Sequence, residues 1–453
     1  MQHNHPAKTC LWRLHNSCVI HTADSPSSPS IPAAIQMQST AASSSSSHGL
    51  FDHVPQAPED AILGLNLAYK ADPCPDKIDL GVGAYRTEEG KPYVLPVIRK
   101  VEKLLAEDVS LNKEYLPIDG LPDFVNESVK LILGADSPAI AENRVAKVQA
   151  LSGTGALRLG AAFLSKFNPA STPVYLSDPT WGNHVNIFRD AGFTDLRKYP
   201  YWEPQSRGLN YDGMTKALKE APAGSIIVLH TCAHNPTGVD PTVEQWDGIT
   251  DVLKGNKLIP FFDTAYQGFA TGDIDKDAAS VRMAVAKGLE LFVSQSYSKN
   301  FGLYGERIGA LNVVCANTQV AEAVRSQLKA LARAMYSNPP KHGALVVSTI
   351  LKNPQFYDEW IEDLKMMAGR IVRMRHELHD AIQKNGTPGT WQHIVDQIGM
   401  FSYTGLSPQQ SKAMTEKHHI YMLGNGRISM AGLSSRNVQR VADAIHDVVT
   451  NIN

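Results

Sequence analysis

The chain has 453 residues, enough for two or three domains with a sizeable core, and 43% apolar content, which excludes disorder as the dominant state. Its 43 Lys plus Arg against 45 Asp plus Glu give a formal charge of -2, so no basic excess is available to hold a nucleic-acid backbone. No apolar run approaches the roughly 18 residues a membrane helix needs, and a soluble protein is expected.

Residues 1–48 stand apart in composition, with eleven serines, several prolines and a single acid, Asp24. They lack the means to bury a core and read as a disordered extension or an organellar transit peptide. Only Lys8 and Arg13 are basic there, and Met37 offers a second start. Five scattered cysteines, Cys10, Cys18, Cys74, Cys232 and Cys315, form no C-x-x-C pair and read as free thiols in a reducing compartment.

From about residue 51, apolar strand-like runs alternate with helical ones, which predicts an α/β fold. Strand 145–151 leads into Ser152-Gly153-Thr154-Gly155 and a helix over 156–167. Val174-Tyr175-Leu176 leads into Ser177-Asp178-Pro179-Thr180-Trp181. Ile226-Ile227-Val228-Leu229 leads into residues 230–238, Ile259-Pro260-Phe261-Phe262 into Asp263-Thr264-Ala265-Tyr266, and Leu291-Phe292-Val293 into residues 294–300. Each short apolar strand empties into polar residues. In a mostly parallel sheet those exits share the carboxyl edge, where open α/β folds bind ligands. Near Asn353 a second region begins; from Ile361 the positions Leu364, Ala368, Ile371, Met374, Leu378 and Ile382 recur at helical spacing, predicting about seven turns. That helix would lead to a smaller C-terminal unit holding 398–406 and 427–433.

After a strand, the Ser152-Gly153-Thr154-Gly155 turn would aim free N–H groups and a helix dipole at an anion, most naturally a phosphate. Arg158 stands where a dinucleotide fingerprint needs its third glycine, and no phosphate-binding G-x-x-x-x-G-K-[ST] loop occurs. His376-Glu377-Leu378-His379 spaces its histidines three apart, where a helical zinc signature needs four, so it reads as a helix face and no metal site is expected. In residues 296–307, Lys299 follows a buried strand with Ser296, Ser298 and Arg307 around it. A partly desolvated lysine loses its proton near neutral pH and reacts with aldehydes. An aldehyde cofactor carrying a phosphate would use both features.

The run 296–307 resembles the cofactor-lysine motif of class I aspartate aminotransferases, which use pyridoxal 5'-phosphate (PLP). His234-Asn235-Pro236-Thr237-Gly238, Asp263-Thr264-Ala265-Tyr266-Gln267-Gly268, Pro179-Thr180-Trp181-Gly182-Asn183-His184 and Tyr336-Ser337-Asn338-Pro339-Pro340 resemble that family too, in unbroken order from about residue 51. The resemblance implies a PLP-dependent transferase of fold type I, with a large domain (93–366) built on a mostly parallel sheet. A smaller α/β domain would come from 61–92 and 367–453, and residues 49–60 would form an N-terminal arm.

It further implies that Lys299 holds PLP through its amine and then moves the proton between the substrate α-carbon and the cofactor. Asp263 would pair with the pyridine nitrogen, braced by His184; Asn235 and Tyr266 would hydrogen-bond the phenolic oxygen; Trp181 would stack on the ring. Ser152, Gly153, Thr154, Ser296, Ser298 and Arg307 would bind the phosphate, joined by Tyr115 from a second subunit. Arg427 would grip the substrate α-carboxylate and Arg333, again from the partner, the side-chain carboxylate. Trp181 and Asn235 would also border the substrate, and Gly83 would lie in a segment that closes over it. The expected protein is a homodimer that transfers the amino group of L-aspartate to 2-oxoglutarate, with small dicarboxylic acids and no nucleic acid or membrane as partners.

Two alternatives accompany this expectation. Relatives that move the distal arginine aside accept aromatic amino acids, and related folds serve as non-catalytic carriers. For location, Val54-Pro55-Gln56-Ala57-Pro58 and Gly386-Thr387-Pro388-Gly389-Thr390-Trp391 resemble cytosolic members. Residues 1–48, if a transit peptide, would argue for the mitochondrial matrix or a plastid.

Overall fold

The structure, a computed structural model, describes residues 49–58 and 60–452. The expectation of an extension or transit peptide at 1–48, with Cys10 and Cys18, lies outside the described residues. The chain divides into two units, residues 1–58 and 59–453. In the first, the Val54 N–H donates to the Phe51 carbonyl at 2.9 Å. All that follows concerns the second.

Its centre is a seven-stranded sheet of β1 (Val145–Leu151), β2 (Val174–Asp178), β3 (Leu196–Pro200), β4 (Ile226–His230), β5 (Ile259–Thr264), β6 (Leu291–Ser296) and β7 (Ile308–Val314). The strand order is β1-β7-β6-β5-β4-β2-β3. Only β7 runs antiparallel to its neighbours. The fold class is therefore α/β with a mostly parallel sheet between helices.

The central strands are apolar without alternation because both faces are covered. Ile226 and Val228 of β4 join Phe261 and Phe292 in one cluster with Leu157 and Leu164 of helix α1 (Ser152–Phe167). Ile227 and Leu229, one residue out of phase, join Phe262 and Val293 in a second cluster with Leu218, Trp246 and Leu253. The period of two thus sends successive side chains into opposite layers.

Helix α1 begins earlier than expected. The strand passes directly into it at Ser152, whose φ of +62° makes the turn, so the expected loop 152–155 is the first turn of the helix itself. The antiparallel β7 leads into helix α2 (Thr318–Met335).

Helix α3 (Pro354–Lys384) is 31 residues long and starts seven residues before Ile361. The Asn353 side chain accepts from the N–H groups of Gln355 and Phe356, and Pro354 needs no N–H at the first position. Its stripe from Trp360 through Leu364, Ile371, Met374 and Leu378 to Ile382 packs in a third cluster, with Val441 and Ile445 of helix α4 (Val438–Asn451). His379 lies on this buried side, bonded to Asp380 and Gln383. Ile78–Asp79 pairs in parallel with Ile420–Tyr421, and Phe401–Tyr403 pairs antiparallel with Arg427–Ser429. Segments from both ends of the unit therefore meet.

Candidate active site

The exits of β1, β2, β4, β5 and β6 surround a cavity of about 210 Å³. It brings together Gly83, Ser152, Gly153, Thr154, Trp181, Asn235, Asp263, Tyr266, Ser296, Ser298, Lys299, Arg307 and Arg427. Tyr115 and Arg333 are not among its walls; Tyr115 is 85% exposed, and Arg333, also exposed, donates to Ser337 Oγ at 2.5 Å.

At one end, hydroxyls gather around a guanidinium. Ser152 Oγ lies 3.0 Å from Ser296 Oγ and 2.9 Å from Ser298 Oγ, and Arg307 Nη1 donates to Ser298 Oγ at 3.3 Å. A Cβ on Gly153 would meet Ser296 Cβ at 3.0 Å, so the first turn of α1 approaches β6 closely with its N–H groups bare. Three hydroxyls, a guanidinium and a helix N-terminus are the groups that can cradle a phosphate.

Lys299 stands beside it. Burial pushes its amine down to about 8, with the Arg307 and Arg427 charges adding to the effect and Asp263 opposing it. Its Nζ lies 5.2 Å from the centre of the Tyr266 ring. Burial pushes the Tyr266 phenol up, so it remains a donor.

Asp263, at the end of β5, is 6% exposed. Its Oδ2 lies 3.1 Å from His184 Nε2, and its Oδ1 accepts from Ser294 Oγ at 3.2 Å. The second ring nitrogen of His184 is 2.8 Å from Thr180 Oγ1. Burial alone would raise the Asp263 carboxyl; the His184 hydrogen bond and the His184, His230 and Lys299 charges outweigh it and hold the group below its ordinary value. It is a charged carboxylate in a closed place, the species that keeps a heteroaromatic nitrogen protonated.

Arg427 is a buried cation with a donor left over. It is 2% exposed and meets no carboxylate among the described residues: Nη2 donates to the Gly81 carbonyl at 2.6 Å, Nη1 to Asn235 Oδ1 at 3.3 Å, and Nε has no partner there. Burial draws it down to about 10. A buried guanidinium with donors to spare calls for an anion. Next to it, a Cβ on Gly83 would strike the Phe401 ring at 2.8 Å, so any side chain there would push the ring aside.

These features fit PLP: a cradle for its phosphate, an amine for its aldehyde, a carboxylate for its ring nitrogen, and Asn235 and Tyr266 as polar groups for its phenolic oxygen. Three of the wall residues that went unassigned in the sequence carry polar or aromatic groups. His230 ends β4 directly opposite Asp263, has no hydrogen-bond partner on either nitrogen among the described residues, and is lowered to about 3, chiefly by burial. It forms a buried trio with His184 and Asp263, ligand atoms within 4.8 Å of one another. Its place at a strand exit was a signal that could have found it. Tyr304 lies within the 296–307 motif, while Phe401 comes from the C-terminal segment and carries no local signal.

Comparison with known proteins bears on this geometry. Residues 75–445 match the family model described as "Aminotransferase class I and II". Aspartate aminotransferase 1 of Medicago sativa is 55% identical over 91% of this chain and 98% of its own length. Among solved structures, aspartate aminotransferase from the cytoplasm of Saccharomyces cerevisiae superposes with a TM-score of 0.87 at 47% identity, covering 89% of this chain and 99% of that one. An aromatic-amino-acid aminotransferase from Burkholderia pseudomallei, covalently bound to pyridoxal phosphate, has a TM-score of 0.86 at 45% identity over 89% and 100%. The names of curated relatives include cytoplasmic, chloroplastic and mitochondrial forms.

Proposed function

Because the chain belongs to the class I and II aminotransferases, we propose that it is an aspartate aminotransferase, moving the amino group of L-aspartate reversibly onto 2-oxoglutarate. One observation carries the reading: a reactive amine, Lys299, and an anion-seeking guanidinium, Arg427, share one cavity with a phosphate cradle. PLP, when bound, supplies the aldehyde that takes up the amine and the ring that accepts the electron pair from the α-carbon.

The residues divide the remaining work. Ser152, Gly153, Thr154, Ser296, Ser298 and Arg307 bind the phosphate. Asp263 holds a proton on the ring nitrogen, and His184 orients Asp263. Asn235 and Tyr266 donate to the phenolic oxygen, and Trp181 covers the ring face. Arg427 grips the α-carboxylate through its free donors. Lys299 Nζ, once displaced by the substrate amine, carries the proton away from the α-carbon and returns it on the other side.

A distal carboxylate needs a second arginine. We take Arg333 for that role and Tyr115 as a further phosphate ligand, each supplied by the other subunit of a homodimer; their exposure and their absence from the walls of their own cavity support this. Residues 61–92 and 367–453 are taken as one small domain that closes over substrate, against a large domain at 93–366, with 49–60 as an arm. Closure strengthens both carboxylate contacts by expelling water. Among the described residues no helix is long and apolar enough to cross a membrane. The segment Val54-Pro55-Gln56-Ala57-Pro58 supports the cytoplasm as the location.

The test is the near-visible spectrum of the PLP-loaded protein on adding L-aspartate alone. The cofactor band should give way to one at shorter wavelength, and 2-oxoglutarate should restore it. A band that ignores aspartate overturns the substrate assignment. Aromatic amino acids are the second reading, favoured by the likeness to the aromatic-amino-acid aminotransferase from Burkholderia pseudomallei; kcat/KM for aspartate against phenylalanine separates the two, with aspartate leading.

A further inference from the structure

Asp240 and Asp277 lie behind the cavity and are not among its walls. Asp277 is 3% exposed and Asp240 is half-buried. Neither carboxylate is paired with a cation among the described residues; both accept from main-chain N–H groups, and Asp277 also from one hydroxyl. Asp240 accepts from the N–H groups of Ala233 at 2.6 Å and His234 at 2.9 Å. Asp277 accepts from those of Gly268 at 2.7 Å, Ala270 at 3.0 Å and Thr271 at 3.1 Å, and from Thr271 Oγ1 at 2.7 Å.

Each cluster fastens one strand exit. The loop after β4 turns through Ala233, a non-glycine residue at φ +49°, and the next residue but one is Asn235. The loop after β5 presents Tyr266 and then turns at Gly268, φ +92°. Left-handed positions make successive N–H groups converge, and a carboxylate placed at the convergence holds them in that shape. The two strands are hydrogen-bonded neighbours, so the two loops leave the sheet side by side.

We propose that Asp240 and Asp277 are positioning residues for the reaction, each locking one loop so that Asn235 and Tyr266 aim together at the phenolic oxygen of the cofactor. The inference rests on the function proposed above. It assigns these two acids a place in the chemistry although neither touches cofactor or substrate. Groups facing them include the Cys232 thiol, which burial and then the charges of Asp277, Asp240 and Asp263 push up, and the Tyr201 phenol, which burial and then Asp240 push up.

The pH midpoint of the near-visible cofactor band, measured on the PLP-loaded protein without substrate, tests this. Donors that stabilise the phenolic anion draw off the negative charge that would otherwise hold the neighbouring proton on the cofactor; misplacing them raises the midpoint. Loss of a nearby carboxylate charge through space does the opposite and lowers it, so the direction decides.

Asp240→Asn, Asp277→Asn and the charge-preserving Asp277→Glu should each raise the midpoint by about half a pH unit or more. A fall, or no change in folded variants with full PLP content, overturns the proposal. Tyr266→Phe must also raise the midpoint; if it does not, the assignment of Tyr266 fails and the inference with it. Because the two loops are fastened separately, failure of one variant to fold leaves the other loop to decide the matter.

Discussion

The guanidinium of Arg427 sits over the Phe401 ring, with Cζ 4.1 Å from the ring centre. The same ring meets Tyr266 edge-on at 5.8 Å. Phe401 therefore holds the Arg427 guanidinium from below without consuming any of its donors. Phe401→Leu should raise KM for aspartate about three- to tenfold, the range of a partly buried cation–π contact, with a smaller change in kcat. An unchanged KM would leave the ring as filler.

Lys299→Ala should lower turnover by at least about 10³-fold while PLP still binds through its phosphate and ring. Steady-state rates and the bound-cofactor spectrum check the two halves separately. Near-normal turnover would overturn the role of this amine.

The depressed Lys299 amine also affects stability. Folded, it titrates at about 8 against an ordinary 10.5, so between those values the unfolded chain binds the extra proton and stability rises with pH. Below 8 the full penalty applies. In the PLP-free protein, Lys299→Met should therefore be more stable at pH 7, by about 3 kcal/mol, with the advantage fading as pH climbs towards 10.5. Denaturant midpoints at pH 7 and above 10 measure it; a gain that persists at high pH would assign the effect to packing.

The proposed sharing of sites between two subunits predicts complementation. Arg333→Ala should lose most activity towards dicarboxylates, and Lys299→Ala all of it. In a mixed dimer one site carries both changes and the other neither. Refolding the two variants together at equal ratio should restore about a quarter of wild-type activity. No recovery would place Arg333 in its own subunit's site or outside any site.

Much of this site is legible along the chain because its residues sit where apolar strands stop. Ser296 ends β6 with Ser298 and Lys299 just past it, Asp263 lies at the end of β5 with Tyr266 just past it, and Trp181 follows β2, so a scan for strand exits finds them. Ser152 shows the limit: its positive φ turns the chain into the helix without a loop, which residue types alone do not reveal. His230 also stands at a strand exit, but its pairing with Asp263 needs the register of β4 with β5. Phe401 needs the tertiary fold, because nothing near it in sequence marks it as a neighbour of Gly83. Asp240 and Asp277 escape for another reason: an acid several residues past a turn looks like surface until the convergent N–H groups are seen.

The short pairing of Ile78–Asp79 with Ile420–Tyr421 joins residues more than three hundred positions apart. On the ribosome, the strand Ile78–Asp79 must wait for nearly the whole chain before its pairing partner exists, and Arg427 emerges later still. A nascent chain can thus form the sheet and expose Lys299 well before it has a grip for any carboxylate. Premature truncation just before Arg427 would release an aldehyde-reactive amine with no substrate selectivity, a product that quality control has reason to remove.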